Sequence, residues 1–157
     1  MDTSPEGTAE PSAARERVKH TRVSLRVHCI FSTKNRDHAI PQDLQDRAWA
    51  FIGRIARRCG MTAVAVGGMT DHVHILLLLA PTVALATAIQ KIKANSSRWM
   101  HEQTGRKFEW QEGYAAFSVS ISQTDATVEY ILNQKKHHQR RGFGEELARI
   151  LVRHGMT

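Results

Sequence analysis

The chain has 157 residues, enough for one domain with a real core and too few to suggest two. Its 22 Lys and Arg against 15 Asp and Glu, a net charge of +7 and a pI near 9.9 favour an anionic partner, most commonly a phosphate backbone. No apolar run approaches the roughly 20 residues of a membrane helix and the N-terminus carries no apolar signal region, so a cytoplasmic protein with no membrane partner is expected.

Residues 1–20 are rich in Ser, Pro, Ala, Glu and Arg without an apolar period and read as a mobile leader, leaving 21–157 as the single domain. Val23, Leu25, Val27, Cys29 and Phe31 then alternate with Ser24, Arg26, His28 and Ser32, the period of a half-buried strand in which Ile30 is the apolar exception. The polar loop from Ser32 to Asp37 offers Lys34 and Arg36 either to phosphates or simply to solvent. Pro41 suits the start of a helix, and Leu44, Ala48, Phe51, Ile52, Ile55 and Ala56 follow at helical spacing until Gly60. Arg54, Arg57 and Arg58 near its end offset the helix dipole and need no functional explanation. Cys29 and Cys59 lack C-x-x-C spacing and read as reduced structural thiols.

Met61 to Val66 reads as a strand that turns through Gly67-Gly68 into Asp71-His-Val-His-Ile-Leu-Leu-Leu-Leu79, a run bounded by Pro81 and apolar enough for a central strand covered on both faces. Alternate strand residues share a face, so His72 and His74 project to one side, where two imidazoles converge on a cation or hydrogen-bond to neighbours. After Pro81, Thr82 is positioned to cap a helix carrying Leu85, Ile89, Ile92 and Trp99. Its Lys91, Lys93 and Arg98 are either part of a nucleic-acid surface or an ordinary solvated face. Between Gln103 and Gly113, Phe108 and Trp110 are candidates for base stacking, with packing expected for at least one.

Ala116 to Ile121 alternates as a fourth strand, and a helix from about Ala126 to Gln139 follows, with a positive cluster at Lys135, Lys136, Arg140 and Arg141. In that helix Val128 and Leu132 form the apolar stripe, with Ile131 beside it. Tyr130 and Gln134 lie one turn apart on another side, along with His137. A last helix around Glu145 to Arg153 offers Leu147, Ile150 and Leu151 to some other surface. The order strand, helix, strand, strand, helix, strand predicts an α+β, ferredoxin-like antiparallel sheet with helices packed on it and a tyrosine-bearing helix towards the C-terminus.

A strand pair His72-Val73-His74, followed by a helix with Tyr130 and Gln134 in a basic ferredoxin-like domain, resembles the HUH single-tyrosine transposases that move insertion sequences as single-stranded DNA. Phe31 to Arg36, Trp110 to Tyr114 and Ala116 to Ser120 are similar to the subgroup associated with repetitive extragenic palindromes. The resemblance implies that Tyr130 attacks a scissile phosphate to form a 5′ phosphotyrosine next to a DNA hairpin. It implies that His72, His74 and Gln134 hold a divalent metal, Mg or Mn, that makes the phosphate electrophilic. It implies also a homodimer in which the tyrosine helix of one subunit serves the histidine pair of the other. Two other readings compete: a non-catalytic single-stranded nucleic-acid-binding module, and a zinc hydrolase recruiting His28 or His101 as third ligand.

Overall fold

Strand β3 (His72–Leu78) is buried along almost its whole length, and the rest of the chain is arranged to cover it. The computed structural model describes residues 21–138 and 141–156, so the leader expected at 1–20, the helix end expected at Gln139 and the Arg140 of the positive cluster lie outside the described residues. The sheet order is β2-β3-β1-β4, with β1 Arg26–Ser32, β2 Thr62–Gly68 and β4 Ala115–Ser118, every neighbouring pair antiparallel. With α1 (Gln45–Arg58) between β1 and β2, and α2 (Leu85–Thr104) between β3 and β4, this is the ferredoxin-like arrangement read from the sequence. Three further helices follow: α3 Thr124–Leu132, α4 Gln134–His138 and α5 Phe143–Arg153.

The two faces of the sheet have different clients. On one, Cys29, Phe31, Val73, Ile75 and Leu77 pack against Ile52, Ile55 and Ala56 of α1 and Ala88, Ile89 and Ile92 of α2. On the other, Ile30 and Phe117 meet Phe143 and Ile150 of α5, while Ala65 and Leu76 meet Ile131 of α3. The first strand is therefore not half-buried as its alternation suggested: Ile30 and His28 are buried too, and Val23 and Leu25 lie outside the strand and are exposed. Sequence alternation marked the polar face correctly but not the later helices that cover it.

Other expectations shift for local reasons. Thr82 does not cap α2, because residues 81–83 form a turn closed by the Val83 amide on the Ala80 carbonyl and Ala84 takes the cap position. Strand β4 stops at Ser118, not Ile121: its partner among the described residues, β1, begins at Arg26, whose carbonyl takes the Val119 amide, and Ile121 lies exposed in a short 3-10 turn. Phe108 and Trp110 are both packing residues. Phe108 sits in a second core with Ile40, Leu44 and Met100, and Trp110 meets Phe31 edge-on while its indole N–H donates to Ser96. Both cysteines are free, as expected.

The tyrosine helix also departs from the expected stripe. Leu132 is 63% exposed, whereas Ile131 is fully buried and Tyr130 half-buried on the sheet side. The helix breaks at Asn133 (φ −105°, ψ 29°), whose side-chain amide donates to the Glu129 carbonyl and competes with continued helix. Burial of Ile131 contributes roughly 1.5–3 kcal/mol to holding α3 on the sheet. The close approach depends on Gly67 of β2, where a Cβ would lie 2.2 Å from the Ile131 carbonyl oxygen. Gly67→Ala should therefore force α3 outward and cost about 1–3 kcal/mol as overpacking does. Urea denaturation monitored by circular dichroism checks this, and an unchanged midpoint would show that the approach is not tight.

Candidate active site

Register puts the chemistry on one face. In the β1–β3 ladder Ser32 pairs with His72, Ile30 with His74 and His28 with Leu76, so the even-numbered residues of both strands face α3 and α5. His72 and His74 have no solvent exposure at all. A buried imidazole needs a partner on each nitrogen, and here the partners fix which nitrogen does what. Asp71 Oδ1 lies 2.7 Å from His72 Nδ1, accepting its N–H and leaving Nε2 directed inward. His28 Nε2 lies 2.8 Å from His74 Nδ1 and orients the second ring in the same sense.

The inward nitrogens face two side chains from the later helices. Gln134 Oε1 is 3.2 Å from His72 Nε2, and its amide N–H donates to the Tyr130 carbonyl, so the break at Asn133 does not take Gln134 away from the histidines. Glu146 of α5, 6% exposed, approaches His74 Nε2 at 3.2 Å and His72 Nε2 at 3.6 Å. Tyr130 lies edge-on to both His74 and His28, at centroid distances of 5.7 and 6.3 Å, and donates its hydroxyl to Glu146. Phe143, in the first turn of α5, stacks on His72 at 4.3 Å.

Burial dominates the electrostatics. It is the largest influence on Glu146 and alone would raise it, but hydrogen bonds and charge from His74, with Tyr130 and His72, hold it down at about 2. Burial likewise outranks the other influences on Asp71, yet the hydrogen bond and charge of His72 bring it below the usual carboxylate range. Burial and then Glu146 push the Tyr130 phenol well above its ordinary value, so the hydroxyl stays protonated in this arrangement. Two imidazole nitrogens, an amide oxygen and a carboxylate thus converge, and one donor atom each from His72, His74 and Glu146 lie within 4.8 Å of one another. That donor set suits a divalent cation.

Beside this cluster a cleft of about 1220 Å³ is lined by His28, Tyr130 and Glu146 and by the cations Lys136, Arg141, Arg149 and Arg153, with His154. The sequence placed its candidate DNA contacts elsewhere. Lys34 is exposed and ion-pairs with Glu109 at 3.0 Å, and the Arg36 guanidinium lies 5.4 Å over the Phe143 ring. Lys93 donates to the carbonyls of Gln111 and Gly113, and Lys91 and Arg98 are exposed. These three belong to α2, which packs on the face of the sheet away from the histidines. His28 orients His74 instead of acting as a third ligand, and His101 binds the Arg106 carbonyl on α2, so neither joins the cluster.

Glu146 was not singled out from the sequence. The available signal was its position three after Phe143 and four before Ile150, an acid on the buried face of an otherwise apolar stripe.

Comparison with known proteins bears on the same residues. A sequence model of the family described as "Transposase IS200 like" matches residues 21–134, a segment with both histidines, Tyr130 and Gln134 but without α5. The chain is similar to the transposase for insertion sequence element IS200 of Salmonella typhimurium LT2, 24% identical over 139 residues that span 83% of this chain and 88% of that protein. It is 26% identical over 117 residues to the ISDra2 transposase TnpA of Deinococcus radiodurans R1, covering 70% and 84% of the two chains. The crystal structure of a candidate transposase from Deinococcus radiodurans R1 matches with a TM-score of 0.60 at 25% identity, over 73% of this chain and 94% of that one. A REP-associated tyrosine transposase bound to a REP hairpin shares the fold, with a TM-score of 0.51 at 16% identity over 71% and 68%.

Acid should loosen this site. Burial, reinforced by His74 and opposed by Glu146, lowers His28 from 6.5 to about 3, so the folded protein resists a proton that the unfolded chain accepts. Stability from this group is fully present above about 6.5 and is lost as the pH falls towards about 3. Denaturant midpoints measured between about pH 7 and pH 4 should fall in the wild type and fall less steeply in His28→Phe. Parallel profiles would remove His28 as the source.

Proposed function

The chain belongs to the IS200-like transposase family, and on that footing we propose that it cleaves and rejoins single-stranded DNA near hairpins through a 5′ phosphotyrosine on Tyr130. The observation that carries the proposal is the convergence of Tyr130, His72, His74 and Gln134 within one chain. His72, His74 and Gln134 are the residues that would hold Mg or Mn. When bound there, the cation supplies a Lewis acid that polarises the scissile phosphate.

The Tyr130 oxygen forms a bond to phosphorus as the bond to the 3′ oxygen breaks. One proton leaves the phenol and one is taken up by the departing 3′ oxygen, which becomes a hydroxyl, so the step is proton-neutral. One phosphodiester replaces another in energy, and reversal by a different 3′ hydroxyl rejoins DNA without ATP. Asp71 and His28 keep both imidazoles aimed inward throughout. The cations of the cleft beside Tyr130 are suited to a phosphate backbone running past the nucleophile. Lys34, Arg36, Lys91, Lys93 and Arg98 lie outside this cleft, the last three on α2 across the sheet, so a DNA contact there would be separate from the strand at the nucleophile.

A hairpin-ended substrate rests on the family resemblance, as do a homodimer and a cytoplasmic site of action; no described helix is long and apolar enough to cross a membrane. A non-catalytic binding module is disfavoured by packing. Such domains stack bases on the open face of a four-stranded sheet, and here α3 and α5 occupy that face.

Tyr130→Phe keeps the ring and removes the only atom able to form the adduct. Hairpin binding should survive within about twofold, while cleavage and strand transfer fall by several orders of magnitude. Denaturing electrophoresis with DNA labelled on the 3′ side of the scissile phosphate should show a shifted band in the wild type only. An adduct in the mutant would reassign the nucleophile.

Mixing Tyr130→Phe with His72→Ala separates the two assemblies of the site. Restored cleavage means that a dimer exchanges tyrosine helices between subunits. No restoration, with both proteins folded, means that each chain uses its own tyrosine, as the contact between Tyr130 and His74 within one chain allows.

A further inference from the structure

Helix α5 lies beyond the segment that the family model matches, yet it reaches the centre of the site. Its inner face carries Phe143, Glu146 and Ile150, all buried. Phe143 stacks on His72 and Ile150 packs with Ile30 and Phe117, which places Glu146 between two apolar anchors and directly on the histidine pair. A carboxylate so deeply buried is costly unless positive charge stands against it. Tyr130 donates a hydrogen bond to it, and the inner nitrogens of His72 and His74 face it at 3.6 and 3.2 Å, so that a cation shared with the histidines would lie among all three donors.

The geometry points to Glu146 as a further ligand of the cation held by His72, His74 and Gln134, and hence to α5 as a metal-dependent latch over the active site. This rests on the proposed metal-dependent function and adds to it an anionic donor from outside the shared family segment. Donors surrounding a cation at about 2.1 Å stand about 3 Å from their neighbours in an octahedral site. The separations of 3.2 Å from Glu146 to His74, 3.6 Å from Glu146 to His72 and 3.2 Å from Gln134 to His72 are close to that spacing.

Two consequences follow from the placement. A carboxylate adds a hard oxygen donor to two nitrogens and an amide, which strengthens the case for Mn or Mg at this site. Arg149 and Arg153, one and two turns further along α5, line the cleft beside Tyr130, so the same contact that holds the cation also sets a cationic wall of the cleft.

The test uses the full-length chain and Mn²⁺ alone as the probe. Calorimetric titration should give one site in the wild type, weakened on the order of tenfold or more in both Glu146→Gln and Glu146→Ala, since even partners behind a ligand change affinity by about 10- to 100-fold. Hydrogen exchange should show residues 143–153 slowed by Mn²⁺ in the wild type and not in Glu146→Gln. Unchanged affinity in both variants, shown to be folded by circular dichroism, would overturn the ligand assignment while leaving the histidine site standing. Exchange of residues 143–153 indifferent to Mn²⁺ would overturn the latch. If the wild type binds no Mn²⁺, or the double variant His72→Ala, His74→Ala binds it as well as the wild type, the cation site itself fails and this inference with it.

Discussion

Two imidazoles on a strand closed to water on both faces are the constraint from which the rest of this structure follows. His72 and His74 cannot solvate their ring nitrogens, so the protein must supply every partner. It does so in two layers. Asp71 and His28, on the strands themselves, stand behind the rings, and Gln134 and Glu146, on the later helices, stand in front of them. The back layer is held by strand register and is as rigid as the sheet. The front layer depends on α3 and α5 staying docked, and that in turn depends on Gly67 allowing the Ile131 backbone to touch β2 and on Phe143 and Ile150 filling the space over Ile30.

Charge is distributed to match that division. The chain is basic overall, but its deepest site is built around two carboxylates, Asp71 and Glu146, both held below their ordinary values by the histidines. The surplus cations that line the neighbouring cleft come from α4, the segment before α5, and α5 itself. The cationic wall of the cleft therefore stands beside an inner site that sets two carboxylates against its histidines. The raised phenol of Tyr130 fits this arrangement, since the carboxylate that accepts its hydrogen bond also keeps it protonated.

The ferredoxin-like sheet is put to an unusual use of its second face. Its first face carries the two crossover helices, as the order of elements requires. The second, which binding modules of this fold keep open for bases, is closed by the helices that follow β4. Closing it excludes water from the histidines and replaces an open stacking platform with a buried polar cluster. It also moves the opening to the flank, where the cleft lies beside Tyr130.

Much of this was determined by the sequence alone, because it rests on local periodicity. The strand and helix order, the shared face of His72 and His74 and the apolar run of the central strand are properties of residues close in the chain, whereas the link from the histidines to Tyr130 and Gln134 rests on a family resemblance. On α3 the apolar spacing of Val128 and Leu132 suggests one stripe, whereas the buried side holds Val128, Tyr130 and Ile131 and leaves Leu132 exposed, a distinction of about 100° per residue that only a docking partner decides. The α2 lysines and arginine looked equivalent to those of the C-terminal segments in composition, and only the sheet separates the two groups onto opposite sides. Glu146 shows the limit most clearly. Seventy-two residues separate it from His74 in the chain, and an acid on a short helix carries no sign of its partners until long-range packing of Phe143 and Ile150 buries it against the histidines. Short-range physics chose the elements; the burial of one face of the sheet chose which charges meet.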